Sequence, residues 1–249
     1  MPLARPIAEA LRRGAIIVAA SPRAARVLQR LFAEEQRAEG HTFWPSPAIA
    51  DWDSWLRGLW RDHAFSASTA PILLTGLQER TLWTRIQRED DAPVLSRESM
   101  AALAMEAWSL LSAYNAHSAR RSAWTEIDAE RFRQWAAAFD RECSSHGWLS
   151  AGQLESSLAH VLHAPSHIAL PPEVMLVGFD RLTPAQDAFL AAVEARGVGV
   201  GRFSPEPAFP TNDSPVSAWI AADDQRDEIS ACAHWPASFS SRIPTAVSV

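Results

Sequence analysis

The basic residues of this chain are all of one kind. Lysine and arginine together number 23, and every one is arginine. With no lysine there is no phosphate-loop lysine, no Schiff base and no lysine general base. Any phosphate contact must come from arginine, from backbone N–H groups or from a helix N-terminus. Arginines concentrate at Arg12-Arg13, at Arg120-Arg121 and at Arg23, Arg26 and Arg30. The last set follows an apolar run and opens a helix-forming segment, so Arg23, Arg26 and Arg30 are the candidate DNA phosphate contacts. The formal net charge is −6, and a DNA-binding role therefore needs a local arginine stripe against an acidic average.

Other constellations read as structure. His160, His163 and His167 have ligand-like spacing, but Pro165 interrupts the helix and no Cys or carboxylate completes a zinc pattern. Ser144-Ser145-His146 falls at a helix end, and the chain has no G-x-S-x-G elbow. Glu89-Asp90-Asp91 is a solvated turn, and Asp223-Asp224 with Asp227-Glu228 sits at a helix start favoured by the dipole. Cys143 and Cys232 are too far apart in sequence for a C-x-x-C metal clip. Among the 11 tryptophans, Trp52, Trp55, Trp60, Trp83, Trp108 and Trp135 lie on apolar helical stripes and are assigned to core. Trp44 and Trp124 lie outside such stripes and are the candidates for exposure.

The elements that must position these residues are legible in part. AIIVAA at 15–20 reads as a buried strand, and Ser21-Pro22 as the cap and first residue of a helix to about Ala38. From about 47 to 163 the pattern is helix after helix. Asp51 or Asp53, Thr75, Ser96 and Ser150 open four of them, and Gly147 closes another. In the helix after Ser96, Met100, Leu103, Ala107, Trp108, Leu111 and Tyr114 form the expected inward face. Strand signals return at 174–179 and 198–203, separated by a helix capped by Thr183 and closed at Gly197. A further strand at 216–221 and a helix at 223–235 follow a proline-rich stretch. The expected organisation is α/β: residues 1–46 open the sheet domain, 47–168 form an inserted helical subdomain, 169–235 return to the sheet, and 236–249 are an irregular tail. The sheet so read is short of strands, and the tail resembles a truncated or frameshifted end.

Composition is globular, at 47% hydrophobic and 21% charged. No apolar run is long enough to span a membrane, and the N-terminus has no secretory apolar region. A reducing cytoplasm is the expected location.

Several segments, in order, resemble the N-terminal part of bacterial AddB-like DNA repair proteins of the PD-(D/E)XK nuclease superfamily. They are IIVAASPRAARVLQRLF, LLTGLQERTLW, MAALAMEAWSLLSAY, FRQWAAAFDRECSSHGWL, MLVGFDRLTPAQ and DDQRDEISACAHW, and they cover roughly 15–235. The resemblance implies a degenerate helicase-like domain: an incomplete parallel sheet interrupted by a large helical insertion. Ser21, Pro22 and Arg23 stand where active relatives carry the Walker A loop, and Gly178, Phe179 and Asp180 where they carry Walker B. Without the lysine and the second acid, ATP hydrolysis is not expected. The resemblance places magnesium-dependent exonuclease chemistry in a C-terminal domain that this chain does not contain, so no catalytic residue, metal site or cofactor is assigned here. It implies contacts with DNA ends and with a helicase–nuclease partner subunit. The competing reading is a helical protein-interaction scaffold without a nucleic-acid role, and a third is a small ATPase. Arginine placement separates the first two: one stripe favours DNA, and scatter over all faces favours the scaffold.

Overall fold

The computed structural model describes residues 3–67, 69–90, 96–115, 127–164 and 167–204, with 224, 226, 229 and 230 beyond them. The chain divides into a unit ending at Ser204 and a second beginning at Pro205. In the second unit Asp224 Oδ1 accepts a hydrogen bond from the Arg226 backbone N–H at 2.8 Å. The expected strand at 216–221, most of the helix at 223–235, the tail at 236–249 and Trp124 lie outside the described residues.

The first unit is α/β. Helix α1 (Arg5–Arg12) leads into strand β1 (Ile16–Ala19), followed by α2 (Pro22–Ala38), β2 (Ile49–Asp51) and α3 (Trp52–Ser66). Strand β3 (Ile72–Leu73) precedes α4 (Gly76–Arg88), α5 (Arg97–Ala113), α6 (Ile127–His146) and β4 (Trp148–Leu149). A 3-10 turn at Ala151–Gln153 enters α7 (Leu154–His163), and β5 (Glu173–Val177), α8 (Pro184–Glu194) and β6 (Gly199–Phe203) complete it. Four strands form one wholly parallel sheet in the order β2-β1-β5-β6. Strands β3 and β4 form a separate parallel pair.

Alternation along the strands sorts the core into two layers. Ile17 and Ala19 of β1, with Met175 and Val177 of β5, face α1 and α2, where Ile7, Ala10, Ala25 and Leu28 cover them. Val18, Val174 and Leu176 face the other way, onto Trp52, Trp55, Leu158, Leu162, Phe189 and Val193 of α3, α7 and α8. Helices thus cover both faces of the sheet, as a parallel sheet requires. A third apolar cluster belongs to α4, α5 and α6: Trp83 stacks on Phe139 at 4.2 Å between centroids, and Trp108 meets both edge-on.

The segment read as helix after helix from 47 contains strands as well. β2 is only three residues long and runs directly into α3, so its signal is absorbed by the α3 stripe. Helices α3 and α7 belong to the sheet's core, and α4–α6 to their own. The β3–β4 pair joins the chain where it enters that helical cluster to the chain where it leaves, with Ile72 opposite Trp148 and Leu73 opposite Leu149. The inward face expected for α5 is also corrected. Leu103 and Tyr114 are exposed, and the buried positions are Ala101, Ala104, Trp108 and Ser112. Small side chains let α5 sit close against its neighbours, and Trp108 anchors it by donating from Nε1 to Ser150 Oγ at 2.8 Å. Gly152 sits so close that an added Cβ would meet Ser109 Cα at 3.1 Å.

Because the α4–α6 core is distinct from the two sheet layers, Trp83→Ala should destabilise the helical cluster first, at a cost of about 3–5 kcal/mol. Hydrogen exchange checks this: amides of α4–α6 should lose protection before those of β1 and β5, and simultaneous loss across both would sink the idea.

Candidate functional site

In an open parallel sheet, ligands gather beyond the carboxyl ends of the strands where chain connections diverge. Here β1 connects through α2 to β2 on one side, while β5 connects through α8 to β6 on the other. The divergence lies between β1 and β5. The turns leaving them are side by side: Ala20 N–H donates to Val177 O at 3.0 Å, and a Cβ on Gly178 would lie 3.8 Å from that of Ala20. The fold therefore brings Ser21, Pro22 and Arg23 to the same sheet edge as Gly178, Phe179 and Asp180.

Each of these residues has a local structural task. Ser21 caps α2, its Oγ accepting from Ala24 N–H at 3.2 Å, and its carbonyl accepts from Ala25 N–H at 3.0 Å. Pro22 has no N–H. Of the first turn, only the Arg23 N–H is left without one of these local acceptors, whereas a phosphate cradle converges several N–H groups. Gly178 takes φ +79°, the left-handed region that turns the chain sharply after β5. Phe179 turns inward and meets Trp52 edge-on at 5.6 Å. Asp180 is exposed.

Arg23, Arg26 and Arg30 are all exposed on α2. At about 100° per residue they fall, with Arg37, inside an arc of about 60°. That arc lies opposite the buried face carrying Ala25 and Leu28. Arg30 pairs loosely with Glu34 at 3.5 Å. Among the described residues, no carboxylate lies within ion-pair distance of Arg23 or Arg26, and residues 22–33 contain no acid at all. Arg37 was not singled out by sequence: it projects over the Trp44 ring, with its guanidinium carbon 5.5 Å from the centroid. Trp44 itself is half-buried, and its neighbour Phe43 is 88% exposed. The elements of a nucleic-acid contact, cations in line and an available aromatic face, thus occur on one helix and the loop that follows it.

The remaining candidates stay apart. His160, His163 and His167 are exposed, and no group of three potential metal ligands occurs among the described residues. Ser145 Oγ lies 2.9 Å from His146 Nδ1, but both are exposed at the end of α6, and the neighbouring acid, Glu142, approaches that same nitrogen at 3.9 Å rather than the opposite one as in a triad. Burial pushes the Cys143 thiol up to about 12, so it is no nucleophile.

Two carboxylates face inward, Glu79 buried and Glu155 half-buried. Glu155 accepts from Trp52 Nε1 at 2.6 Å. Burial raises its pKa, and the Trp52 indole and Gln186 side chain pull it part of the way back. Glu79 is 2% exposed and accepts from Ala151 N–H at 3.3 Å. Burial raises it too, offset first by that N–H. The signal was available: Glu79 is in phase with Leu82, Trp83 and Ile86, and Glu155 with Leu158, Ala159 and Leu162. Both tie elements together rather than line a cleft. On the same face of α4, the buried Gln87 amide and Trp83 Nε1 have no hydrogen-bond partner among the described residues.

A scan against protein-family models finds none that matches this chain, and no curated protein matches it either. No described helix is long and apolar enough to cross a membrane.

Glu155 sets a pH dependence. Its folded pKa is raised, so the folded state holds that proton more tightly than the unfolded chain does. Its contribution to stability is present below the unfolded value, about 4.3, and declines as pH rises toward the folded one. Glu155→Gln keeps an acceptor for Trp52 and removes the titration. The variant should gain on the parent as pH rises above the unfolded value of about 4.3, and the gain in Tm should level off once the folded-state carboxyl has ionised. A difference in Tm that is flat with pH would refute this.

Proposed function

We propose that this chain is a non-catalytic DNA-holding element of a DNA end-processing repair machine, a degenerate helicase-like portion of AddB type. The observation that carries the reading is the arginine stripe of α2. Its three N-terminal members stand on one exposed face, Arg23 and Arg26 with no acid within ion-pair distance and Arg30 only loosely paired with Glu34, on a chain that is acidic on average. One stripe rather than scatter is what distinguishes a backbone contact from ordinary solvated charge. The architecture supports the same reading: an all-parallel layer and a helical cluster between strands of that layer are what a helicase-like domain requires. The capped, lysine-free turn after β1 and the lone Asp180 after β5 fit a domain that grips nucleic acid without turning over ATP. The nuclease chemistry and its magnesium belong, on this reading, to another domain of the parent protein.

A second reading has its own observation. Leu103, Leu110 and Tyr114 are 58%, 55% and 59% exposed along one side of α5. A further apolar groove of about 440 Å³ runs between α4 and the β3–β4 pair, lined by Ile72, Leu77, Leu82 and Trp148 among others. Such surfaces fit docking of a partner protein, whether the helicase–nuclease subunit or, in the scaffold alternative, another protein altogether.

Titration of the full chain against labelled DNA over a salt series tests the first reading. Binding should weaken with salt, and replacing Arg23, Arg26 and Arg30 together by Ala should flatten the log–log slope by about 2 to 3. A slope that is absent, or unchanged by the triple substitution, removes the DNA role and leaves the scaffold.

A further inference from the structure

Resting on that DNA reading, we infer that the α2 face and the loop after it form a single-stranded nucleic-acid site, in which Phe43 is a stacking platform for an unpaired base. Three observations converge. The stripe from Arg23 to Arg37 runs about 21 Å along the helix, at 1.5 Å per residue. It is a straight track of cations for a flexible phosphate backbone. The stripe ends on an aromatic: Arg37 lies over the Trp44 ring, which ties the C-terminal end of the stripe to the loop that carries Phe43. Phe43 itself is 88% exposed, the most exposed large apolar side chain among the described residues, and no aromatic neighbour covers its ring.

Each part has a different role. The arginines supply affinity that is independent of sequence and sensitive to salt. A duplex would satisfy them equally, because its bases are stacked within the helix and only its backbone and groove edges are presented. An exposed phenyl ring at the end of the track adds something only if a base is free to lie on it. Trp44, half-buried and already engaged by Arg37, fixes the loop, and Phe43 meets the ligand. Acids border the far end: Glu34 pairs with Arg30, and Glu39 lies 3.6 Å from His41. The strand therefore gains most from Arg23 and Arg26 and from the stacked base.

The test uses the full chain and three probes of equal length: oligothymidylate, an abasic oligomer with the same phosphate backbone, and a duplex. Oligothymidylate should bind most tightly. Phe43→Ala should lose about tenfold in affinity for it, Phe43→Trp should restore the loss, and neither change should alter binding of the abasic strand. If oligothymidylate and the abasic strand bind alike, with a normal salt slope, the stacking site is overturned while the DNA reading stands. If none of the three binds, both fall. Equal binding of an oligoglutamate of matched charge overturns the inference in favour of an acidic protein segment.

Discussion

The sheet depends on the burial of β1 from both sides at once. Ile17, Val18 and Ala19 are all fully buried, because α1 and α2 close on one face of the strand and α3, α7 and α8 on the other. β1 also joins the early part of the chain to the late part, pairing with β2 on one side and β5 on the other. Its four residues cannot be satisfied locally. They hold their place only when the chain beyond the helical cluster has returned, and so the whole of α4–α6 must be accommodated between two adjacent strands. Loop closure over such a distance costs entropy that grows only slowly with length, which is why a long helical excursion is tolerable in the middle of a sheet.

That constraint explains the small β3–β4 pair. Its two ladder positions contribute little by themselves. They bring the two ends of the excursion to one point, however, and leave the helices free to build their own core around Trp83, Phe139 and Trp108. The links back to the sheet layers are directional. Trp108 donates to Ser150 just beyond β4, Glu79 accepts from Ala151, and Trp52 donates to Glu155. Buried polar contacts of this kind add little net stability but penalise alternative packings in which either partner is left bare. They select one seating of the helices on the sheet from many that would bury similar apolar area.

What could be read from sequence divides along the same line. Local, side-chain-determined features were legible: Ser21, Thr75, Ser96 and Thr183 cap the helices that follow them, and of Asp51 and Asp53 it is Asp51 that caps α3, whereas Ser150 leads into a 3-10 turn without a side-chain cap; six tryptophans assigned to core are buried. Features set by tertiary pairing were not. β2 has three residues and β3 and β4 two each, too short for alternation to register. α5 turned its alanines inward and left Leu103 and Tyr114 outside, because close approach of helices outweighed side-chain hydrophobicity there. Of the site, the arginines of α2 were visible as a sequence cluster. That they share one face with Arg37, and end at Trp44 and Phe43, depends on the path of the chain after the helix.

The distribution of arginine partners gives the α2 face its character. Elsewhere in the described residues several guanidinium groups pair with neighbouring acids: Arg5 with Glu9, Arg13 with Glu173, Arg57 with Asp53, Arg85 with Glu142 and Arg133 with Glu130, while Arg12, Arg80, Arg88, Arg141 and Arg181 are exposed one by one on other parts of the chain. Exposed pairs like these contribute little to stability, but they cancel the field that each cation would project. The first turns of α2 differ in grouping: Arg23 and Arg26 share one face, and no acid stands within reach of either along the helix. The positive end of the helix dipole adds to the same region. A local positive potential on a net negative protein attracts a polyanion to one place and repels it from others, which gives orientation as well as affinity.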